Sequence, residues 1–205
     1  QAAYVGSIPI IRSSQILFFM PITFTIDLED HLDTYAPDGR WARNTRRILE
    51  FCARKNIRAT FFAVGKCAVL PDLLREITNA GHELALHSYD HIPLIREDAK
   101  NYRTKLGAAK KTFEDITGKK VAGFRAPVFS LTPQSAWALE DLARLEFIYS
   151  SSIIAGHSMF AGYPGAPDVP FRWGNGLVEL PVPAMDLGGF SLPFLGGVYL
   201  KLLPL

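Results

Sequence analysis

A parallel βα architecture, closed as a barrel or left open as a sheet, is the fold this sequence predicts. Short runs rich in Val, Ile, Thr and Phe recur along the chain and stop at Gly, Pro or acidic residues. Segments with helical apolar spacing fill the intervals between them, and that alternation is the signature of βαβ units. Acidic, histidine and arginine residues gather just past the carboxyl ends of the runs, which is where βα folds keep their chemistry.

The first strand lies in PITFTIDLED, with Ile22 to Asp27 as its body and Asp27, Glu29 and Asp30 at its end. Pro37-Asp38-Gly39 then supplies turn chemistry. Asn44 is placed to cap a helix running to about Lys55, with Ile48, Leu49 and Cys52 on one stripe. RATFFAV, Arg58–Val64, is a second strand, stopped by Gly65. Pro71 opens the next helix and Gly81 follows it, with Leu73, Leu74 and Ile77 inward. Glu83–His87 is a third, short strand that leads into HSYDH. Asp98 to Thr117 is a helix with Leu106, Ala109, Phe113 and Ile116 inward, closed by Gly118. Val121–Ala126 is a fourth strand, Thr132 to Leu145 a helix, and Phe147–Ser151 a fifth strand. From Gly156 to Gly176 the chain reads as loop. Leu177–Val182 is a sixth strand, and the tail from Leu187 is apolar and Gly-rich.

With 205 residues, 48% hydrophobic and 20% charged, the chain is expected to form one globular domain with a full core. A net charge of +2 with no clustered Lys/Arg tract gives nucleic-acid binding no footprint, and Arg43, Arg46 and Arg47 read as a solvated helix face. The apolar stretch Ile8 to Ile26 is broken by Arg12, Ser13, Ser14 and Gln15. The uninterrupted run left after Gln15 falls short of the ~18–20 residues a membrane span needs, so no integral membrane segment is expected. It also lacks the basic start and small-residue cleavage site of a signal peptide. Cys52 and Cys67 form no CxxC pair and are expected to be two buried thiols.

On one rim the strand ends would bring together Asp27, Glu29 and Asp30, then His87 and His91, then Arg125, then Ser150–Ser152. Two histidines four residues apart can share one face of a helical turn and point at one ion. One carboxylate completes a two-histidine, one-carboxylate set with open positions for water and substrate. Such a site suits Zn²⁺, and also Co²⁺, Ni²⁺ or Fe²⁺.

FTIDLED, NTRRILE, RATFFAVG, GHELALHSYDH, GFRAPVFS and VELP together resemble the polysaccharide deacetylase (NodB-type) family of metal-dependent carbohydrate esterases. The Asp-x-Glu-Asp first motif is similar to that of a subgroup found in bacterial exopolysaccharide loci. The resemblance runs from about Thr23 to the chain end and implies a distorted (β/α) barrel. It implies hydrolysis of the N-acetyl group of an amino sugar in a polysaccharide or oligosaccharide, with a carbohydrate as the partner. By the family pattern Asp27 is the general base, and His87 and His91 are metal ligands. A cation beside the attacking water lowers its pKa by several units. Most relatives carry two adjacent aspartates where Leu28 follows Asp27 here; relatives with an Asp-x-Asp spacing make Glu29 the third ligand, with Asp30 as the alternative. Arg125 pairs with Asp27 and orients it, and the backbone N–H of Val128 assists the oxyanion. Tyr89 and Asp90 are spacers, His82 a loop or supporting histidine, and Cys67 no ligand.

Two departures stand out. Ser150 occupies a position where the family usually has Asp. No His-Pro-Trp/Tyr-Glu stretch follows Leu180-Pro181, so the general acid is His157 or a residue beyond Leu205. The resemblance therefore implies a catalytic domain missing its last strand–helix portion, from a bacterial protein of the cytoplasm or cell envelope. Two other readings fit the same residues: a hydrolase of C–N bonds in a small cyclic amide, and a catalytically impaired carbohydrate-binding homologue.

Overall fold

The structure is a computed structural model, and it describes residues 10–11, 23–156, 161–186, 188 and 191–193. In chain order its elements are β1 (Ile10–Ile11), β2 (Phe24–Leu28), α1 (Arg40–Lys55), β3 (Ala59–Ala63), α2 (Pro71–Asn79) and β4 (Glu83–Leu86). There follow α3 (Ala99–Thr117), β5 (Gly123–Phe124), α4 (Ala138–Arg144), β6 (Tyr149–Ser150), β7 (Phe171–Trp173), β8 (Val178–Glu179), β9 (Ala184–Asp186) and β10 (Ser191–Pro193). Among the described residues, no helix is long and apolar enough to cross a membrane.

The chain divides into two compact units. The first, from residues 17–92 and 100–125, holds β2 to β5 with α1, α2 and most of α3. Its strands are parallel, β2 on β3, β3 on β4 and β4 on β5. β3 is buried along its whole length, as a central parallel strand with covered faces should be. α2 buries Leu73, Leu74 and Ile77, as the spacing predicts. α3 buries Tyr102, Leu106, Ala109 and Phe113, while Ile116 is only partly covered. Gly81 and Gly118 follow these helices with φ of +82° and +66°. A Cβ at either would meet nothing, so the left-handed backbone alone demands glycine there.

α1 departs from the expectation. It begins at Arg40, four residues ahead of Asn44, after Gly39 in extended backbone. Trp41 is the reason: it is buried in the first turn, edge-on to Tyr35 at 5.7 Å, with its indole N–H donating to the Ala36 carbonyl at 2.9 Å. The buried face is Trp41, Ala42, Thr45 and Cys52, with Ile48 and Leu49 only partly covered.

The second unit comprises residues 1–16, 93–99 and 126–205. Its strand pairs are β6 with β8 (parallel), β8 with β7 (antiparallel), β7 with β1 (antiparallel), and the β9–β10 hairpin. Strand β7 falls inside the stretch expected to be loop, because Phe171 and Trp173 alternate inward around exposed Arg172. The helix expected over 132–145 divides into a 3₁₀ turn, Pro133–Ser135, and α4. Thr132 and Ser135 form a capping box at that turn.

This unit is centred on Glu179, which is 0% exposed. One carboxylate oxygen accepts from the Ser152 N–H (2.7 Å) and the Ile153 N–H (3.3 Å), and the other accepts from the Trp173 indole N–H (3.2 Å). Ser152 Oγ accepts in turn from the Ala126 N–H and from Ser150 Oγ. Ser150, where relatives carry Asp, is therefore part of a buried hydroxyl chain served by Glu179. Burial pushes the Glu179 carboxyl above its ordinary value, against the pull of hydrogen bonds from Ser152, Trp173, Ser150 and Ile153.

Glu179→Gln sets an amide NH₂ against one of these N–H donors and should destabilise the fold by about 1–3 kcal/mol, the cost of an unmet buried donor. Thermal unfolding checks it. Because the folded carboxyl binds its proton more tightly than the unfolded one, its contribution is greatest below the unfolded value and is lost as pH climbs through the folded value. The wild-type midpoint should therefore fall with rising pH along a slope that the Gln variant lacks.

Candidate metal centre

Parallel pairing in the first unit brings four strand ends level. Leu28 is opposite Ala63, Ala63 opposite Leu86, and Leu86 opposite Phe124. One residue further, the ladder continues in Val64 N–H to Leu28 C=O (3.1 Å), His87 N–H to Ala63 C=O (2.8 Å) and Arg125 N–H to Leu86 C=O (2.9 Å). Glu29, Val64, His87 and Arg125 thus follow that row on one edge, with His87 and Arg125 adjacent and Val64 between Glu29 and His87. Within β2, period-two alternation sends Leu28 inward (3% exposed) and leaves Asp27 and Glu29 sharing the opposite direction.

His87 is 2% exposed, and its Nδ1 lies 2.9 Å from the Arg125 carbonyl. A carbonyl can only accept, so that contact puts the imidazole proton on Nδ1 and leaves Nε2 as a lone-pair donor. Burial lowers the His87 pKa; attraction to Asp27, the Arg125 carbonyl and Glu29 only partly offsets this, so the ring favours its neutral form. His91 follows a tight turn in which Ser88 (φ 61°) and His91 itself (φ 62°) are left-handed. The Ser88 hydroxyl accepts from the His91 N–H at 2.9 Å. The turn sets the two imidazoles 4.9 Å apart, centre to centre, and is not the helical turn the spacing suggests. His91 Nε2 lies 2.5 Å from Glu29 Oε2. Burial raises the Glu29 carboxyl, but the His91 hydrogen bond and the fields of His91, His87 and His31 outweigh it and hold it below the usual range.

One ligand atom from each of Glu29, His87 and His91 falls within 4.8 Å of the other two. Two imidazole nitrogens and one carboxylate at this separation fit a single divalent ion.

Asp27 stands beside this group, its Oδ2 at 3.9 Å from His87 Nε2. Arg125 Nη1 donates to Asp27 Oδ1 (2.8 Å) and Thr25 Oγ1 (3.0 Å), and the guanidinium lies 4.0 Å from the centre of the Phe62 ring. Hydrogen bonds from Nη1 to Asp27 and Thr25 and the stack on Phe62 thereby fix the guanidinium in place.

Asp30 is turned to a different task. Its Oδ2 accepts from Thr34 N–H, Thr34 Oγ1 and Tyr35 N–H at 3.2, 2.8 and 2.9 Å, and its Oδ1 accepts from Leu32 N–H at 3.2 Å. Burial raises its pKa, and these hydrogen bonds together outweigh it and lower it. Tyr89 is exposed, and Asp90 lies 3.6 Å from Lys105 Nζ. His82 sits at the start of β3, its Nδ1 accepting from the Ala59 N–H at 3.1 Å. Both cysteines are buried and unpaired, and Cys67 Sγ contacts the Leu28 carbonyl at 3.5 Å. Val128 belongs to the second unit, exposed, with φ 48°. Positive φ at a β-branched residue is a conformation seen mainly under functional constraint. His157 lies outside the described residues.

The sequence profile of the polysaccharide deacetylase family matches residues 33–145. The chain belongs to the polysaccharide deacetylase family. The match begins just after Glu29 and takes in His87, His91 and Arg125. Residues 151–205 match a second profile, described as a domain of unknown function, DUF3473. The chain is 30% identical over 106 residues to the peptidoglycan-N-acetylglucosamine deacetylase of Bacillus cereus, covering 51% of this chain and 38% of that protein. It is 29% identical over 118 residues to the peptidoglycan deacetylase of Helicobacter pylori, covering 57% and 39%. It thus spans less than two fifths of either relative. Among solved structures, a Mycobacterium smegmatis protein assigned to the same family superposes with a TM-score of 0.60 at 26% identity, over 78% of this chain and 58% of that one. The fold is the (β/α) barrel type of these deacetylases.

Arg125→Ala removes the cation from Asp27 and the stacked surface from Phe62. A fully buried ion pair broken on one side costs about 3–5 kcal/mol, but Asp27 is 31% exposed. We expect a loss of about 1–3 kcal/mol in denaturant unfolding, with Arg125→Lys recovering only part of it.

Proposed function

We propose that the protein hydrolyses the N-acetyl group of an amino sugar within a polysaccharide or oligosaccharide, releasing acetate, with a divalent metal ion held by Glu29, His87 and His91. The observation that carries this reading is the meeting of those three donors within 4.8 Å, beside a carboxylate already tethered by arginine. The names of the Bacillus cereus and Helicobacter pylori relatives support an N-acetylated cell-wall-type glycan as the substrate class. The motif Asp27-Leu28-Glu29-Asp30 favours the exopolysaccharide-associated subgroup.

The donor set suits zinc first, with cobalt, nickel or iron as alternatives. A bound cation would act as a Lewis acid on the acetyl carbonyl and bring the pKa of a neighbouring water toward neutrality. Asp27 is the general base: Arg125 engages Oδ1, and Oδ2, on the side of His87 Nε2, is the oxygen left to accept the water's proton. Arg125 is a positioning residue that holds this carboxylate in one orientation. The Arg125 carbonyl keeps the His87 proton on Nδ1, so one residue sets both the base and a ligand. By family resemblance alone, the Val128 N–H is the proposed oxyanion donor and His157 a candidate proton donor to the leaving amine.

Acetate release from an N-acetylated oligosaccharide should fall by roughly 10²–10⁴-fold in Asp27→Asn, with zinc affinity changed far less. Chelation should abolish turnover and added metal restore it. Turnover that survives chelation, or in Asp27→Asn, would sink the proposal; turnover of small cyclic amides alone would replace it with a different C–N hydrolase.

A further inference from the structure

The acidic cluster after β2 contains one carboxylate that the proposed reaction leaves unused. We propose that Asp30 is a positioning residue, whose carboxylate holds the 30–35 loop in the shape that aims Glu29 at His91. This rests on the metal-centre reading above and adds to it a reason why Glu29, and not its neighbour, is the ligand.

Four donors converge on Asp30: Leu32 N–H on Oδ1, and Thr34 N–H, Thr34 Oγ1 and Tyr35 N–H on Oδ2. Its own carbonyl accepts from the Asp33 N–H at 2.8 Å. The loop needs such a hold because Asp33 (φ 51°) and Tyr35 (φ 47°) are both left-handed, a backbone that non-glycine residues leave unless something keeps them there. At its far end Tyr35 is 5% exposed and packs on Trp41. Glu29 is therefore fixed on both sides, by the Val64 N–H to Leu28 carbonyl bond before it and by the Asp30 cage after it. Only its side chain is left to choose a direction, and it meets His91 Nε2 at 2.5 Å.

Direct ligation by Asp30 is the competing role. It would draw an oxygen out of the cage and strip the Tyr35 N–H, in a buried residue, of its acceptor. A second tether on the loop is Asp33 with Lys66 Nζ at 2.7 and 2.8 Å. With side chains 63% and 31% exposed, that pair is a weak hold by comparison.

The test titrates purified protein with Zn²⁺ by calorimetry and records the visible spectrum of the Co²⁺ form. Asp30→Ala should weaken zinc binding by about 10–100-fold, the usual loss when a ligand's support is removed. Asp30→Asn keeps one oxygen for Tyr35 and Thr34 and should stay within about tenfold of wild type, with cobalt bands at the wild-type positions. Asp33→Ala should change affinity by less than about fivefold. Glu29→Gln should shift the cobalt bands. Wild-type affinity in Asp30→Ala would overturn the proposal. So would an Asp30→Asn variant as weak as Asp30→Ala with displaced cobalt bands, which would make Asp30 a ligand. A wild-type protein that binds neither ion would overturn the metal-centre reading itself, and this inference with it.

Discussion

The site depends on one constraint, the in-register parallel pairing of β2, β3, β4 and β5. Leu28, Ala63, Leu86 and Phe124 share one row. Every group of the candidate centre sits on that row's outer edge or within a few residues of it. Parallel pairing is continuous only through backbone N–H and C=O groups, so it carries no preference for histidine or acid. It sets positions that chemistry then occupies. The His87 N–H and Arg125 N–H that extend the ladder belong to the same residues whose side chains build the site. A shift of one residue in any strand would separate them by more than 3 Å along the strand direction.

Much of this was legible in the sequence. The strand over β3 and the helices α2 and α3 were readable because their apolar spacing is strong and their ends carry Pro or Gly. The grouping of Glu29, His87 and His91 was readable because strand ends in a parallel βα protein meet on one edge. What escaped was decided by partners distant in sequence. Strand β7 hides in a Gly- and Pro-rich stretch, and only the alternation of Phe171 and Trp173 around Arg172 betrays it. The start of α1 was set by Trp41 finding Tyr35, which no local propensity reports. Glu29 and Asp30 look alike in the sequence because adjacent acids carry no local mark; the fold shows the Asp30 oxygens taken up by loop donors and a Glu29 oxygen beside His91.

Ser150 illustrates the same limit from the other side. In the sequence it reads as a loss, a hydroxyl where the family has a carboxylate. In the fold it donates to Ser152, whose backbone N–H is held by the buried carboxylate of Glu179. A carboxyl group thus still serves that region, supplied from β8 instead of β6. Nothing near Ser150 in sequence announces this, because the two residues are brought together by the β6–β8 pairing.

Cys67 carries a consequence for the surroundings in which such a centre can operate. Its thiol is wholly buried against the Leu28 carbonyl, and burial pushes its pKa up, with Val64 opposing and the Asp30 and Glu29 charges adding to the rise. A thiol held protonated and away from solvent is a poor nucleophile and a poor target for peroxide. The donors that do converge are imidazole and carboxylate, which have no place on the thiol oxidation ladder. The three converging side chains therefore offer no thiol for glutathione or an oxidising milieu to alter.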